Sequence, residues 1–368
     1  MISLEPLCPV RTKGTEIEFM KKGVSVAVVG ATGAVGQQLL HILEERNFPV
    51  SELRLFASPR SAGKTIVWNH QSYSCRALEE GCFEGVQLAF FDASDAISKE
   101  WVPQAAHAGA WVVDNSATFR LDSDVLLIVP EVNGELLEDR LSSKSSSEFS
   151  ARERIITGPN CSTVQMVVAL RPIRDHWGLN RVVVSTYQST SGAGAAAMTE
   201  LTQHTQDALA RRSTPPIIFP HSIAFNCIPH IGGFKEDGYT SEELKMIAET
   251  RKLLQLPQLR ISATAVRVPT YSSHSESINV ECLKPFEVEQ VRSVLGQQPG
   301  LVVEDTPQEN IYPLAKNASG RDAVYVGRIR RDSSVESGLN LWVVSDNLRK
   351  GAALNAVQIG EVLLKTLH

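Results

Sequence analysis

Val24-Ser25-Val26-Ala27-Val28-Val29, followed by Gly30-Ala31-Thr32-Gly33-Ala34-Val35-Gly36, is the stretch that decides the fold. The first six residues are almost continuously apolar, the pattern of a strand buried on both faces of a parallel sheet. Beyond the glycines, Leu39, Leu40, Ile42 and Leu43 recur at helical spacing. Strand, glycine turn and helix in this order predict a dinucleotide site, because bare glycines let the N–H groups at the helix start approach a pyrophosphate that the helix dipole also attracts. Gly30, Thr32, Gly33, Ala34, Val35 and Gly36 are the expected contacts.

Working outward, a second strand is expected at Leu53 to Ala57. An acidic residue at its end would bind the ribose 2'-hydroxyl of NAD. The chain instead continues Ser58-Pro59-Arg60-Ser61-Ala62-Gly63-Lys64. Hydroxyls and cations there suit the 2'-phosphate of NADP, with Ser58, Arg60 and Ser61 as contacts; the alternative is an exposed basic turn. Strands at Val86 to Phe91 and Trp111 to Asn115, with a helix near Ser98 to Ala108 between them, continue the alternation. It predicts a Rossmann-type, doubly wound parallel sheet.

The chain has 368 residues, 43% hydrophobic and 21% charged, enough for two domains with separate cores. A net charge of -5 argues against nucleic acid or an anionic membrane as partner. No apolar run approaches the roughly 18 residues of a membrane span, and no apolar signal core opens the chain. The six cysteines are scattered, without a Cys-x-x-Cys pair, so neither a disulfide framework nor a metal site is expected, and a cytoplasmic location is. Residues 1–22 read as a flexible extension. Ser142 to Ser147 reads as a solvated loop.

A second decisive stretch is Gly158-Pro159-Asn160-Cys161-Ser162-Thr163. It places one cysteine where a strand-like run, Arg154 to Thr157, gives way to a helix with Val164, Met166, Val167, Val168 and Leu170 on its apolar side. A thiol in the first turn of a helix feels the positive end of the dipole, so a lowered pKa and a nucleophile are expected. A buried structural cysteine is the alternative. Beyond it, strands are expected at Arg181 to Thr190, Leu259 to Val268, Ser277 to Cys282, Ala323 to Arg330 and Leu339 to Ser345. Helices are expected at Ala195 to Ala210, after the capping box Thr240-Ser241-Glu242-Glu243, and at Glu287 to Leu295. Pro215 to Gly238 reads as a long ordered loop. The expected division is an NADP-binding domain at 23–160, a mixed α/β (α+β) catalytic and dimerisation domain at 161–345, and a C-terminal helix at 346–368 packing back on the first domain.

These motifs together carry a resemblance. The glycine turn, the Cys161 stretch, Tyr187-Gln188 with Ser191-Gly192-Ala193-Gly194, Glu242 with Lys245, and Arg267-Val268-Pro269 followed by His274-Ser275-Glu276 stand in the order found in the aspartate-semialdehyde dehydrogenase family. The resemblance runs from about Val24 to the C-terminus; the first residues and the serine-rich loop depart from the pattern without touching a motif. It implies NADPH-dependent reduction of aspartyl phosphate to aspartate semialdehyde with release of inorganic phosphate, on the route to lysine, methionine and threonine, by a homodimer. By the same resemblance, Cys161 is the nucleophile, His274 the general acid/base and Gln188 the residue orienting the acyl group. Arg267 holds the α-carboxylate, Glu242 the amine, and Arg120 and Lys245 the phosphate, with Asn160 a further substrate contact. Ser191, Gly192 and Asn347 complete the cofactor contacts.

The residue types support that chemistry in their own right. Forming a thioester lets a thiolate expel phosphate before hydride arrives; an imidazole is suited to proton transfer near neutrality; a guanidinium grips a carboxylate with two donors. Glu242 and Lys245 lie one helical turn apart, and an exposed ion pair is the alternative for them. Two rival functions remain. An N-acetyl-γ-glutamyl-phosphate reductase would use the same thioester logic on a substrate without a free amine, leaving Glu242 without purpose. A nucleotide-binding regulator would have no need of Cys161, Gln188, Arg267 and His274 together.

Overall fold

The computed structural model describes residues 23–365. Strand β1 (Val24–Val29) is buried along its whole length and pairs in parallel with β2 (Val50–Phe56) on one side and β5 (Leu88–Phe91) on the other. With β6 (Trp111–Asp114), β7 (Leu126–Leu127) and β8 (Ile155–Thr157) it forms a six-stranded all-parallel sheet in the order β2-β1-β5-β6-β8-β7. The order reverses between β1 and β5, and the crevice above the carboxyl ends of those two strands is where such sheets bind ligands.

Helices α1 (Ala34–Glu45), α2 (Asp95–His107) and α3 (Pro130–Ser142) accompany these strands. Helix α3 and the hairpin β3 (Thr65–Trp68) with β4 (Gln71–Ser74) were not expected from the pattern. Pro130 at the first helical position was the available signal for α3. The serine-rich loop is exposed and contains one short turn, Ser146–Glu148, closed by a capping box from Ser145.

Helix α4 (Cys161–Trp177) leads from the first sheet to the second. The second sheet also has six strands: β9 (Leu179–Gln188), β10 (Arg260–Arg267), β11 (His274–Cys282), β12 (Leu301–Val303), β13 (Val324–Asp332) and β14 (Gly338–Ser345). Their order is β10-β9-β11-β14-β13-β12, with parallel pairs at both edges and antiparallel pairs between. Alternation decides its faces. Val182, Val184, Ile278 and Val280 point into a core shared with α4, with α6 (Ser241–Leu253) and with α7 (Val288–Gln297). The opposite face carries Ser277, Asn279 and the tilted ring pair Tyr187–Trp342. Helix α5 (Ala195–Leu209) packs apart from that core, over Phe219, Ile223 and Ile228 of the long connection that follows.

The chain then returns. Arg349–Ala353 forms a π-helical turn that runs into α9 (Leu354–Leu364), α8 being the short helix Ala315–Ala318. Val357, Ile359 and Leu363 of α9 share a core with β1 and α1 of the first sheet. Gly360 packs so closely that an added Cβ would lie 2.9 Å from the Phe90 ring. The described residues include no helix long and apolar enough to cross a membrane and no cluster of metal-ligating side chains. Residues 1–22 and the last three lie outside the described residues.

Candidate active site

The glycine turn is built by close backbone approach. Gly30 has φ +88°, and a Cβ there would meet the Asp92 carbonyl oxygen at 2.1 Å. A Cβ on Gly36 would meet the Gly30 carbonyl at 2.3 Å, so α1 can start against the turn only with bare glycine at both places. The N–H of Gly33 donates to Gly30 O at 2.9 Å. Thr32, Gly33, Ala34 and Val35 at the start of α1 remain at least partly accessible, with no acidic residue in that first turn. Ser58, Arg60 and Ser61 lie just past β2, whose last carbonyl, Phe56 O, accepts the Gly30 and Ala31 N–H groups. Arg60 is exposed and has no ion-pair partner among the described residues. A cradle that a Cβ would fill, an unopposed helix N-terminus and a free cation just past β2 fit a phosphorylated dinucleotide.

Cys161 is the first residue of α4, capped by Asn160, whose Oδ1 accepts from Ser162 N at 2.9 Å and from Thr163 N at 3.3 Å. The thiol borders a cavity of about 280 Å³ shared with Val35 of α1, Arg120, Ser191, Gly192 and Asn347. The cradle and the sulfur therefore open into one space. Gly351, in the π-helical turn, forms its floor: a Cβ there would lie 3.0 Å from Cys161 Cβ. That turn is held by Lys350, fully buried, whose Nζ donates to Glu131 at 2.6 Å and Gln358 at 2.7 Å, and by Arg349, which binds Glu45 and Asp322. π-Turns recur at functional sites because they aim a segment that a regular helix would not.

The structure reverses one expectation. The Cys161 thiol is pushed up to about 12, first by burial and then by the Glu242 carboxylate, with Arg267 and Arg120 pulling the other way. The helix N-terminus does not by itself make a thiolate here. Desolvation of the charged form outweighs it.

The side chains around the sulfur come from four further segments. Glu242, on α6, accepts from Asn160 Nδ2 at 2.8 Å and from Gln188 Nε2 at 3.3 Å. Gln188 is buried at the end of β9. Arg267, buried at the end of β10, donates to Ser189 O at 2.6 Å. His274, wholly buried at the start of β11, accepts at Nδ1 from the Ser189 N–H at 3.1 Å, while its Nε2 has no partner among the described residues. A main-chain N–H can only donate, so the neutral ring carries its proton on Nε2. Burial, with the Arg267 charge adding, lowers His274 to about 3. Gly192 lets the Ser191-Gly192 turn lie on both side chains, since a Cβ there would be 2.9 Å from Arg267 Nη1 and 3.2 Å from His274 Nε2. Asn347 ties the turn down, its Oδ1 accepting from Ser189, Ser191 and the Ser273 N–H at 3.0 to 3.1 Å.

Arg120 is placed differently from a free phosphate clamp. It is buried and paired with Glu249 at 2.9 Å, with a second donor on Asn115 O at 2.6 Å. Glu249 also accepts from Asn160 N at 2.6 Å, so one carboxylate joins the arginine to the turn that presents the thiol. Lys245 is half-buried without a hydrogen-bond or ion-pair partner among the described residues. Sequence reasoning missed Glu249, Ser189 and Gly351. For Glu249 a signal existed: it falls two turns beyond Glu242 on α6, on the side that carries Met246 and Leu253 into the core. Ser189 acts through its main-chain N–H and carbonyl as well as its hydroxyl, and Gly351 through backbone position; no residue pattern announced either.

Comparison with known proteins agrees with this architecture. The sequence profile described as "Semialdehyde dehydrogenase, NAD binding domain" matches residues 25–140, and that described as "Semialdehyde dehydrogenase, dimerisation domain" matches residues 170–350. The aspartate-semialdehyde dehydrogenase of Aquifex aeolicus is 51% identical over 345 residues, covering 93% of this chain and 98% of the relative. The chain belongs to the aspartate-semialdehyde dehydrogenase family. Its Bacillus subtilis member is 45% identical over 94% of this chain and 99% of its own. The crystal structure of aspartate semialdehyde dehydrogenase II from Vibrio cholerae, complexed with ASA, superposes with a TM-score of 0.87 at 44% identity, covering 93% of this chain and 98% of that one. The family thus has the parallel nucleotide-binding sheet and the mixed second sheet seen here.

Proposed function

We propose that the protein catalyses the NADPH-dependent reductive dephosphorylation of L-aspartyl 4-phosphate to L-aspartate 4-semialdehyde through a thioester on Cys161, serving lysine, methionine and threonine synthesis in the cytoplasm. The observation that carries this reading is that Cys161 opens into the same cavity as Val35 of the glycine-turn helix, so that an acyl group on sulfur faces a dinucleotide held on that turn. The cradle of Gly30 to Gly36 would hold the pyrophosphate, Ser58, Arg60 and Ser61 the 2'-phosphate, and Ser191, Gly192 and Asn347 the nicotinamide end. When bound, NADPH supplies the hydride. Among related structures, that from Candida albicans, at 25% identity and a TM-score of 0.73, is described with NADP.

In the first half-reaction the sulfur attacks the acyl carbon, the C–S bond forms as the C–O bond to phosphate breaks, and inorganic phosphate leaves carrying the thiol proton on its freed oxygen. The substrate resets the electrostatics that hold the thiol neutral. Glu242 pairs with the substrate ammonium and no longer opposes the thiolate, whereas Arg267, gripping the α-carboxylate, and Arg120, with Lys245 near the phosphoryl group, remain cationic. Gln188 and Asn160, both on Glu242, orient the acyl group. In the second half-reaction hydride reaches the thioester carbon. The His274 Nε2–H donates a hydrogen bond to the developing alkoxide, and the tetrahedral intermediate then collapses to aldehyde and the Cys161 thiolate, which takes up a proton from solvent. A ring that already holds its proton on Nε2 cannot also take the thiol's there, so His274 serves the second half-reaction.

The half-buried Glu242 favours a substrate with a free amine over an N-acetylated one. The match to a dimerisation domain and the open outer face of the second sheet support a homodimer. Purified protein supplied with NADP, phosphate and aspartate semialdehyde should form reduced cofactor, seen by its absorbance, only when all three are present. Equal turnover without phosphate, or turnover of N-acetyl-glutamate semialdehyde instead, would overturn the reading.

A further inference from the structure

One carboxyl in the cavity has no part in the steps above. Asp92 follows β5 at its carboxyl end, on the crevice where the strand order reverses next to β1. Its side chain lines the same cavity as Cys161. Oδ1 accepts from Asn115 Nδ2 at 2.6 Å, whereas Oδ2 is buried and has no partner among the described residues. Its own carbonyl fills the place of a side chain at Gly30, which puts the residue directly beside the glycine turn. The neighbouring acid, Asp114 on β6, is already bonded to Ser116 and Ser98. Burial, with the Asp114 charge adding and the Asn115 bond opposing, pushes Asp92 up to about 7. A buried acceptor left unpaired is costly, and a ligand donor would satisfy it.

Resting on the NADP reading above, we infer that Asp92 is a cofactor-binding residue whose Oδ2 bonds a hydroxyl of the ribose joining pyrophosphate to nicotinamide. The position selects that group. With pyrophosphate on the glycine turn and nicotinamide over Cys161, the sugar between them is the part of the molecule that passes Asp92. The phosphates offer no donor and would repel a carboxylate. A ribose hydroxyl donates to the ionised carboxylate or accepts from the protonated acid, so the contact survives the titration of Asp92.

The test is a calorimetric titration of the full chain with NADP and with an analogue lacking the 2'-hydroxyl on the nicotinamide ribose. Wild type should lose about tenfold in affinity for the analogue, and D92A should bind NADP about tenfold more weakly than wild type. D92A should also treat NADP and the analogue alike, because the partner is gone. D92N, whose amide keeps an acceptor for Asn115 and turns a donor toward the ribose hydroxyl, should stay within about threefold of wild type and vouch for the fold. Unchanged NADP binding by D92A, or a full penalty for the analogue in D92A, would overturn the assignment while leaving NADP as the cofactor. Failure of wild type to bind NADP at all would remove both.

Discussion

The cradle at Gly30–Gly36 and the pocket around Cys161 open into one cavity, yet they are made of different material. The cradle is consecutive sequence and mostly main chain, positioned because β1 is buried and glycine alone tolerates the approach of Asp92 and Gly30 carbonyls. The pocket is made of side chains delivered by α4, α6, β9, β10 and β11, buried or half-buried and bonded to one another: Asn160 and Gln188 to Glu242, Arg120 to Glu249, His274 and Arg267 to Ser189. A site of the first kind recognises shape and charge and is exposed at rest. One of the second kind holds its charges in balance until substrate replaces one of the partners.

Substitutions on the two sides should therefore fail differently. The largest effect belongs to the sulfur: C161A should lose about 10⁴-fold or more in turnover while binding NADP as wild type does, measured by steady-state kinetics beside a binding titration. Loss of cofactor binding in that variant would mean the two halves are not separable. Next, R267K removes the two-donor grip and should cost about 100-fold in kcat/KM for aspartate semialdehyde, with the KM for NADP unchanged. On the cradle side, R60D should weaken NADP by about tenfold or more relative to NAD, with kcat at saturating cofactor preserved. Unaltered discrimination would place the 2'-phosphate elsewhere.

The smallest effect sharpens the electrostatic part. Only the thiolate is alkylated, and the free thiol is held up to about 12, so the rate of iodoacetamide alkylation at Cys161 should climb about tenfold per pH unit from neutrality into the alkaline range without levelling. Removing the negative charge of Glu242 removes a cause of the upward shift. E242Q should then react faster than wild type at each pH below that value. A plateau near neutrality in the wild-type enzyme would show that the helix N-terminus prevails over burial after all.

The same contrast explains what could be read from the sequence. Local rules sufficed for the first sheet apart from its two-residue edge strand β7, because a buried parallel strand, a glycine turn and an amphipathic helix each have a period or a steric signature. They sufficed also for the outline of the second sheet, where inward and outward residues alternate along β9 and β11. The sequence did not reveal that Arg120 would be neutralised by Glu249, 129 residues away, or that a π-helical turn pinned by Lys350 would lay Gly351 on the thiol. Nor could it show the state of Cys161 and His274. Helix position and residue type pointed to a thiolate and an imidazole titrating near neutrality, whereas burial, which only the folded chain defines, moves the two groups to about 12 and about 3.

The most direct test is to trap the acyl enzyme. Protein incubated with aspartyl phosphate in the absence of NADPH, quenched in acid and digested, should carry one L-aspartyl group as a thioester on the peptide containing Cys161. The adduct should vanish on adding NADPH and never form in C161A. An aspartyl group on a different side chain, or semialdehyde accumulating while the Cys161 peptide stays unmodified, would contradict the account.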